Sequence, residues 1–262
     1  MRTLARIAAQ GHQSGKALPR TLAALDRLDV SIRESEITVI AGNPGSGKSA
    51  LALTIARMMG VPTFYYSPDS SDGTQMMRAL SMATGLTQKE VERHAADDPQ
   101  WAADTLRGLD IWWSFASGPS LNDIADDALA YYELNGDFPK LFIVDSLYDV
   151  DDGSEGESAW FGLLNTLKDL KKRAKETGAA FIVLHHTSEQ AKYEVCPPRS
   201  ALQGKPAAVP ETILTLANDP SSGILSIACV KNRHGEAHED GTRPEYVFFD
   251  AQRMAITDVG DR

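Results

Sequence analysis

Residues 37–59 read ITVIAGNPGSGKSALALTIARMM, and the reading of this stretch decides the fold. Three glycines and a proline fall within Gly42–Gly47, and helical patterning starts at once afterwards. Ile37–Ala41 is short, apolar and β-branched, as a buried strand is. Ala50–Met59 carries apolar side chains almost all round, as a buried helix does. The glycines allow backbone angles that other residues avoid, so successive N–H groups can turn inward and form an anion nest. The start of the helix adds partial positive charge.

The stretch satisfies G-x-x-x-x-G-K-[ST], with Gly42, Gly47, Lys48 and Ser49 at the fixed positions and Asn43, Pro44, Gly45 and Ser46 between them. The motif in a strand–loop–helix context predicts a phosphate-binding loop. Lys48 is expected on the β- and γ-phosphates of ATP and Ser49 on a Mg²⁺ ion.

A nucleotide site needs further parts, and each has a candidate. Leu141–Val144 is an apolar run that delivers Asp145 to a strand's carboxyl end, where open α/β sheets bind ligands. Asp145 is the expected second Mg²⁺ ligand. Thr63–Tyr66 is a strand followed by Ser67-Pro68-Asp69-Ser70, and Asp69 is the candidate general base. The simpler role for Asp69 is a cap on a turn or on the next helix. The strand Ala180–Leu184 leads into His185-His186-Thr187. Neighbouring strand residues face opposite sides, so at most one histidine reaches a nucleotide, and the pair suits a shared metal poorly. Lys231-Asn232-Arg233-His234-Gly235 follows the strand Ile224–Val230 and reads as a hairpin tip with exposed cations.

The intervening helices are expected at Thr74–Thr84, Thr87–Ala96, Asp98–Gly108, Leu121–Leu134 and Ser158–Thr177, with a strand at Asp110–Phe115. The last helix repeats apolar residues at Trp160, Leu163, Leu164, Leu167, Leu170 and Ala174. Residues 1–33 read as a lead-in with helical pieces around Leu4–Gln10 and Leu22–Leu28, and 34–262 as one domain. Alternating strands and helices imply an α/β fold: a mostly parallel sheet flanked by helices. The run Thr212–Leu216, Ile224–Val230 and Tyr246–Phe249 implies an antiparallel extension with tight turns.

The chain has 262 residues and a formal charge of −10. That charge argues against a cationic nucleic-acid coat and leaves room for a local basic groove. Cys196 and Cys229 make no metal spacing and read as thiols of a reducing cytoplasm. No apolar run approaches ~18 residues and no signal-peptide core is evident, so neither a membrane span nor export is expected.

The pieces, in this order, resemble the RecA-like ATPase core of DnaB-type hexameric replicative helicases and plasmid RepA-type helicases. The resemblance covers roughly Thr21–Thr257. It rests on the phosphate loop with TLAALDRL upstream, on FYYSPDSS, on LHHTSEQ and, most specifically, on VKNRHGE, which is like the family's K-x-R-x-G hairpin. It implies Asp69 at the place of the catalytic glutamate, one methylene shorter. It implies His186 at the place of a γ-phosphate-sensing glutamine. Lys231 and Arg233 are implied to act in trans on an adjacent subunit's ATP, hence a homo-oligomer, a hexameric ring. The resemblance holds to the ATPase core, as in stand-alone phage and plasmid proteins.

In such a core two loops face single-stranded DNA. The first, Asp149–Glu157, is acidic and suited to repel phosphate unless it holds a metal. The second, Thr187–Ala208, offers Lys192, Arg199 and Lys205, with Tyr193 for stacking. The leading expectation is an ATP-driven helicase or translocase on single-stranded DNA in phage or plasmid replication or recombination. The alternatives are a RecA/RadA-like recombination ATPase and a regulatory ATPase that binds only protein.

Overall fold

A computed structural model describes residues 15–151, 153, 159–188, 195–204 and 206–260. The expected helix at Leu4–Gln10 lies outside them. The first stretch forms as its patterning demands: β1 (Ile37–Gly42), the glycine-rich turn, then α2 (Lys48–Met59), with the short α1 (Ala23–Arg27) before them. β2 (Thr63–Tyr66) is followed by three short helices, α3 (Asp72–Thr84), α4 (Gln88–Asp97) and α5 (Pro99–Arg107). Then come β3 (Ile111–Ser114), α6 (Leu121–Asn135), β4 (Leu141–Val144), α7 (Ala159–Thr177) and β5 (Ala180–His186). The chain closes with β6 (Thr212–Asp219), β7 (Ile224–Asn232), β8 (Pro244–Asp250) and β9 (Ala255–Asp258).

Local chemistry sets the helix starts. Ser71 caps α3 by accepting the Thr74 N–H, and Thr87 with Glu90 forms a capping box on α4. Asp98 with Pro99 opens α5, and Ser120 with Asp123 boxes α6.

Among the described residues, nine strands form one sheet in the order β3-β2-β4-β5-β1-β6-β7-β8-β9. The first six positions are parallel, and β7, β8 and β9 extend the sheet antiparallel. The period-2 alternation of the strands divides the core into two layers. Ile40, Ile143, Ile182 and Leu214 pack with Leu51 and Ile55 of α2 on one face. Val39, Phe142, Phe181 and Val183 pack with Ile124 of α6 and Leu163, Leu167 and Leu170 of α7 on the other. Phe64, Phe142 and Phe181 stack across three adjacent strands, at ring separations of 6.2 and 4.7 Å. The lead-in joins the first layer through Leu22, Leu25, Val30 and Ile32, and Asp258 of β9 accepts the N–H groups of Ala23 and Ala24 at the start of α1.

Three expectations from sequence require correction. The strand after Met254 is additional to those expected, because its alternation spans only four residues. The β7–β8 connection is not a tight turn: residues 233–243 lie between the two strands. Lys231 is not an exposed cation at a tip but a half-buried residue within β7. Cys196 and Cys229 are free and buried, and burial pushes both thiols up, to about 12 and about 11. No described helix is long and apolar enough to cross a membrane.

The layer under α7 makes a graded test. Leu167 is fully buried, whereas Leu134 at the end of α6 is 72% exposed. Leu167→Ala is expected to cost about 2–5 kcal/mol in urea unfolding, and Leu134→Ala less than about 0.5 kcal/mol.

Candidate nucleotide site

The parallel register brings the carboxyl ends of β1, β2, β4 and β5 to one edge. Gly42 pairs with His186, Val144 with Val183, and Tyr66 with Val144. Lys48, Asp69, Asp145 and His186 all lie at or just beyond this edge.

The loop is built from tight backbone. Gly45 and Gly47 have φ of 75° and 89°, the left-handed region that glycine enters freely. Gly42 is excluded from carrying a side chain by proximity: a Cβ there would stand 2.4 Å from Ser46 Oγ and 3.1 Å from the Leu216 carbonyl oxygen. The Lys48 ammonium curls back to donate to the carbonyls of Gly42 (2.9 Å) and Asn43 (3.0 Å). Burial lowers its pKa, and the charge of Asp145 partly opposes this.

Asp145 receives the Tyr65 hydroxyl at 2.9 Å, and the Ser49 hydroxyl also favours its charged form. Burial raises its pKa, against the pull of Ser49, Tyr65 and the Lys48 charge. The residues suit a magnesium nucleotide. Ser49 and Asp145 place two hard oxygen donors side by side. The buried Ser46 hydroxyl, inside the loop, has no hydrogen-bond partner among the described residues. Gly42 leaves open a cradle that a Cβ would fill.

The two histidines divide as strand alternation requires. His185 is buried, its Nε2 donating to the Gln203 carbonyl at 2.7 Å, and Tyr148 stacks on its ring at 5.2 Å. Burial pushes its pKa down to about 4. His186 is half-buried and feels the charges of Lys48, Asp149, Asp145 and Asp69. Burial lowers its pKa, so its imidazole is neutral at pH 7 and carries one N–H donor. Asp69 is exposed, and the cap of the following helix is Ser71 instead.

The other predicted residues lie elsewhere. Lys231 and Arg233 belong to the opposite edge. Thr212 pairs with Thr38 and with Asn232, four residues from Gly42 along β1, or about 13 Å at ~3.3 Å per residue. The Lys231 ammonium donates to the carbonyls of Ala207 (2.7 Å) and Pro210 (2.6 Å), and Arg233 pairs with Glu211 at 3.1 Å. Of the DNA-loop candidates, Lys192 and Lys205 lie outside the described residues, as does Tyr193. Arg199 is ion-paired to Glu239 at 2.6 Å, so its charge is locally neutralised. In the acidic loop, Asp149 accepts the Ser146 N–H and hydroxyl as a turn cap. Among the described residues no group of three or more acids, histidines or cysteines is arranged to hold a metal.

Sequence reading missed three residues of the site. Tyr65 reads only as part of a strand, and its bond to Asp145 depends on the β2–β4 pairing. Thr187 donates to the Asn43 side-chain oxygen at 2.6 Å, linking the phosphate loop to the end of β5. Arg78 of α3 adds a positive charge near Asp145. A cation nearly two turns into a helix carries no sequence signal of that proximity.

The loop, the acid on β4 and the parallel sheet with its antiparallel extension define a RecA-like P-loop ATPase. The chain belongs to the DnaB-like helicase C-terminal domain family, whose pattern matches residues 17–202. The Gene 65 protein of Mycobacterium phage L5 is 33% identical over 254 residues, 94% of this chain and 95% of that protein. Among solved structures, a separately determined ATPase domain shares the fold at a TM-score of 0.79 and 17% identity, over 96% of this chain and 94% of that one. A DnaB-like replicative helicase, described with its interactions with primase, matches at 0.81 and 18% identity, over 98% of this chain and 65% of that one.

His185 generates a pH test. Its folded pKa of about 4 lies below the ordinary 6.5, so the neutral form stabilises the fold. That contribution is complete above pH 6.5 and is lost as pH falls towards 4. Between about pH 7 and about pH 4.5 wild type is expected to lose about 2–3 kcal/mol more unfolding free energy than His185→Gln, read from urea melts.

Proposed function

We propose that this chain is the ATP-hydrolysing subunit of a ring-shaped motor, a helicase or translocase on single-stranded DNA. The observation that carries the reading is the separation of charges across the sheet. Lys48 and Asp145 serve one edge, while Arg233 stands at the other with a side chain 58% exposed. A guanidinium there is remote from its own subunit's phosphate loop. It can complete an ATP site only on a second copy of the chain, which makes assembly part of the chemistry. The phage relative supports a place in phage replication or recombination.

The geometry supports the following roles. On nucleotide entry, Lys48 exchanges the Gly42 and Asn43 carbonyls for β- and γ-phosphate oxygens. The backbone N–H groups of Asn43–Gly47 supply the anion nest. Ser49 and Asp145 are the proposed holders of Mg²⁺, which when bound neutralises phosphate charge. Tyr65 keeps the Asp145 carboxylate oriented. Asp69 accepts the proton of the attacking water, and its exposure leaves water free to approach. His186, neutral, donates one hydrogen bond to the γ-phosphate and reports its loss through β5 to the loop that follows. Arg233 of the adjacent subunit stabilises charge on the transferring phosphoryl group. The same loop, with Lys192, Arg199 and Lys205, is the proposed DNA contact, Arg199 by exchanging Glu239 for backbone phosphate. Such contacts weaken steeply with salt.

Arg233→Ala is expected to bind ATP near normally and lose roughly 10³-fold in turnover. Mixing it with Lys48→Ala subunits restores part of the hydrolysis, because each variant supplies what the other lacks. Normal turnover by Arg233→Ala overturns the trans assignment. Wild-type ATPase is expected to rise with a single-stranded oligonucleotide, and a forked duplex to be unwound. Indifference to DNA assigns the protein to the regulatory class, and stimulation without strand displacement to the recombination class.

A further inference from the structure

Glu211 lies immediately before β6, at the edge of the sheet away from the phosphate loop, and is 2% exposed. Its Oε2 accepts the Ile37 N–H at 3.1 Å and the Lys171 ammonium at 2.7 Å. Its Oε1 accepts Arg233 Nη1 at 3.1 Å, and its backbone carbonyl accepts the Arg233 N–H at 3.0 Å. One buried carboxylate therefore faces two cations.

The two cations differ. Lys171 is 16% exposed in its side chain and donates a second bond to the Ser35 carbonyl at 3.0 Å. It alone neutralises the buried charge, which is what burial of a carboxylate requires. Arg233 is surplus to that requirement, yet both its backbone and its guanidinium are fastened to Glu211. A guanidinium has five N–H donors in a rigid plane. One edge is taken by Oε1, and most of the side chain faces solvent. Lys231 offers the contrast, its ammonium committed to two carbonyls.

We propose that Glu211 is a positioning residue: it grips one edge of the Arg233 guanidinium so that the opposite edge is presented, already oriented, to the phosphate of the adjacent subunit. The proposal rests on the trans role of Arg233. Lys171 balances the carboxylate charge from the interior side, so Glu211 can hold the arginine without drawing it inward.

The test is steady-state ATPase of Glu211→Gln, Arg233→Ala and the double variant, with each single variant also mixed with Lys48→Ala. Glu211→Gln is expected to lower kcat roughly ten- to hundredfold with little change in KM, as loss of orientation does. It should add nothing on the Arg233→Ala background, because it acts only through that arginine. Mixing with Lys48→Ala, whose Glu211 and Arg233 are intact, should restore part of the rate. Wild-type kcat in Glu211→Gln beside an inactive Arg233→Ala overturns the positioning role and leaves the trans role standing. A further loss in the double variant, or no recovery in the mixture, also overturns it. Normal turnover by Arg233→Ala overturns the trans reading itself and the proposal with it. Should Glu211→Gln not fold in thermal melts, Glu211→Gln/Lys171→Met removes buried anion and cation together and carries the same expectations.

Discussion

Parallel strands all end on the same side, and this constraint governs the molecule. β1, β2, β4 and β5 each deliver one polar group to one edge because their registers are locked by apolar layers on both faces. A shift of one residue in any of them would turn a whole strand inside out. The buried alternation around Phe142, Phe181 and Ile182 is thus what sets Asp145 beside Ser49. The chemistry at the edge is held by the packing behind it.

Both ends of the parallel sheet hold buried charge, and they hold it differently. At the carboxyl edge, Lys48 and Asp145 are desolvated, and burial weakens the charged form of each. Their bonds to Gly42, Asn43 and Tyr65 are ones that an incoming magnesium nucleotide can replace. At the amino edge, Lys171 balances the Glu211 charge at Oε2, which Ile37 shares, and Oε1 is left to Arg233. The first arrangement is ready to exchange partners. The second is closed, and it leaves an arginine outward-facing. The proposed ring, with ATP hydrolysed between subunits, needs both properties on one chain.

In the loop Thr187–Ala208, Thr187 lies at the first edge, and Ala207 lies beside Lys231 at the second. Thr187 is tied to Asn43 of the phosphate loop, and His185 to Gln203 within the loop. At and just beyond its far end, Ala207 and Pro210 hold Lys231, and Glu211 holds Arg233. The segment proposed to meet DNA is therefore fastened at its start to the subunit's own nucleotide site and adjoins, just beyond its end, the arginine proposed for the neighbour's.

Much of this was legible from sequence because it is local. The phosphate loop is eight consecutive residues with steric demands that glycine alone meets at Gly42. The strands announced themselves by β-branched apolar runs, the helices by their spacing, and Asp145 by its place at the end of one such run. Period-2 alternation also foretold that the two histidines must part company. Which of them turns to the nucleotide edge depends on the β1–β5 pairing. What sequence could not supply are the partners across space. Tyr65 meets Asp145 because β2 and β4 are neighbours, 80 residues apart in the chain. Lys231 looked like a free cation because nothing near it in sequence reveals that the carbonyls of Ala207 and Pro210 converge on it. Glu211 carries no sequence signal of its bonds to Ile37, Lys171 and Arg233. The sequence by itself determined the backbone geometry of the loop and the class of the fold, since both follow from short-range sterics and hydrophobic periodicity. Tertiary structure alone decided which charges are spent on the fold and which face outward, because that depends on contacts between residues that chain order leaves far apart.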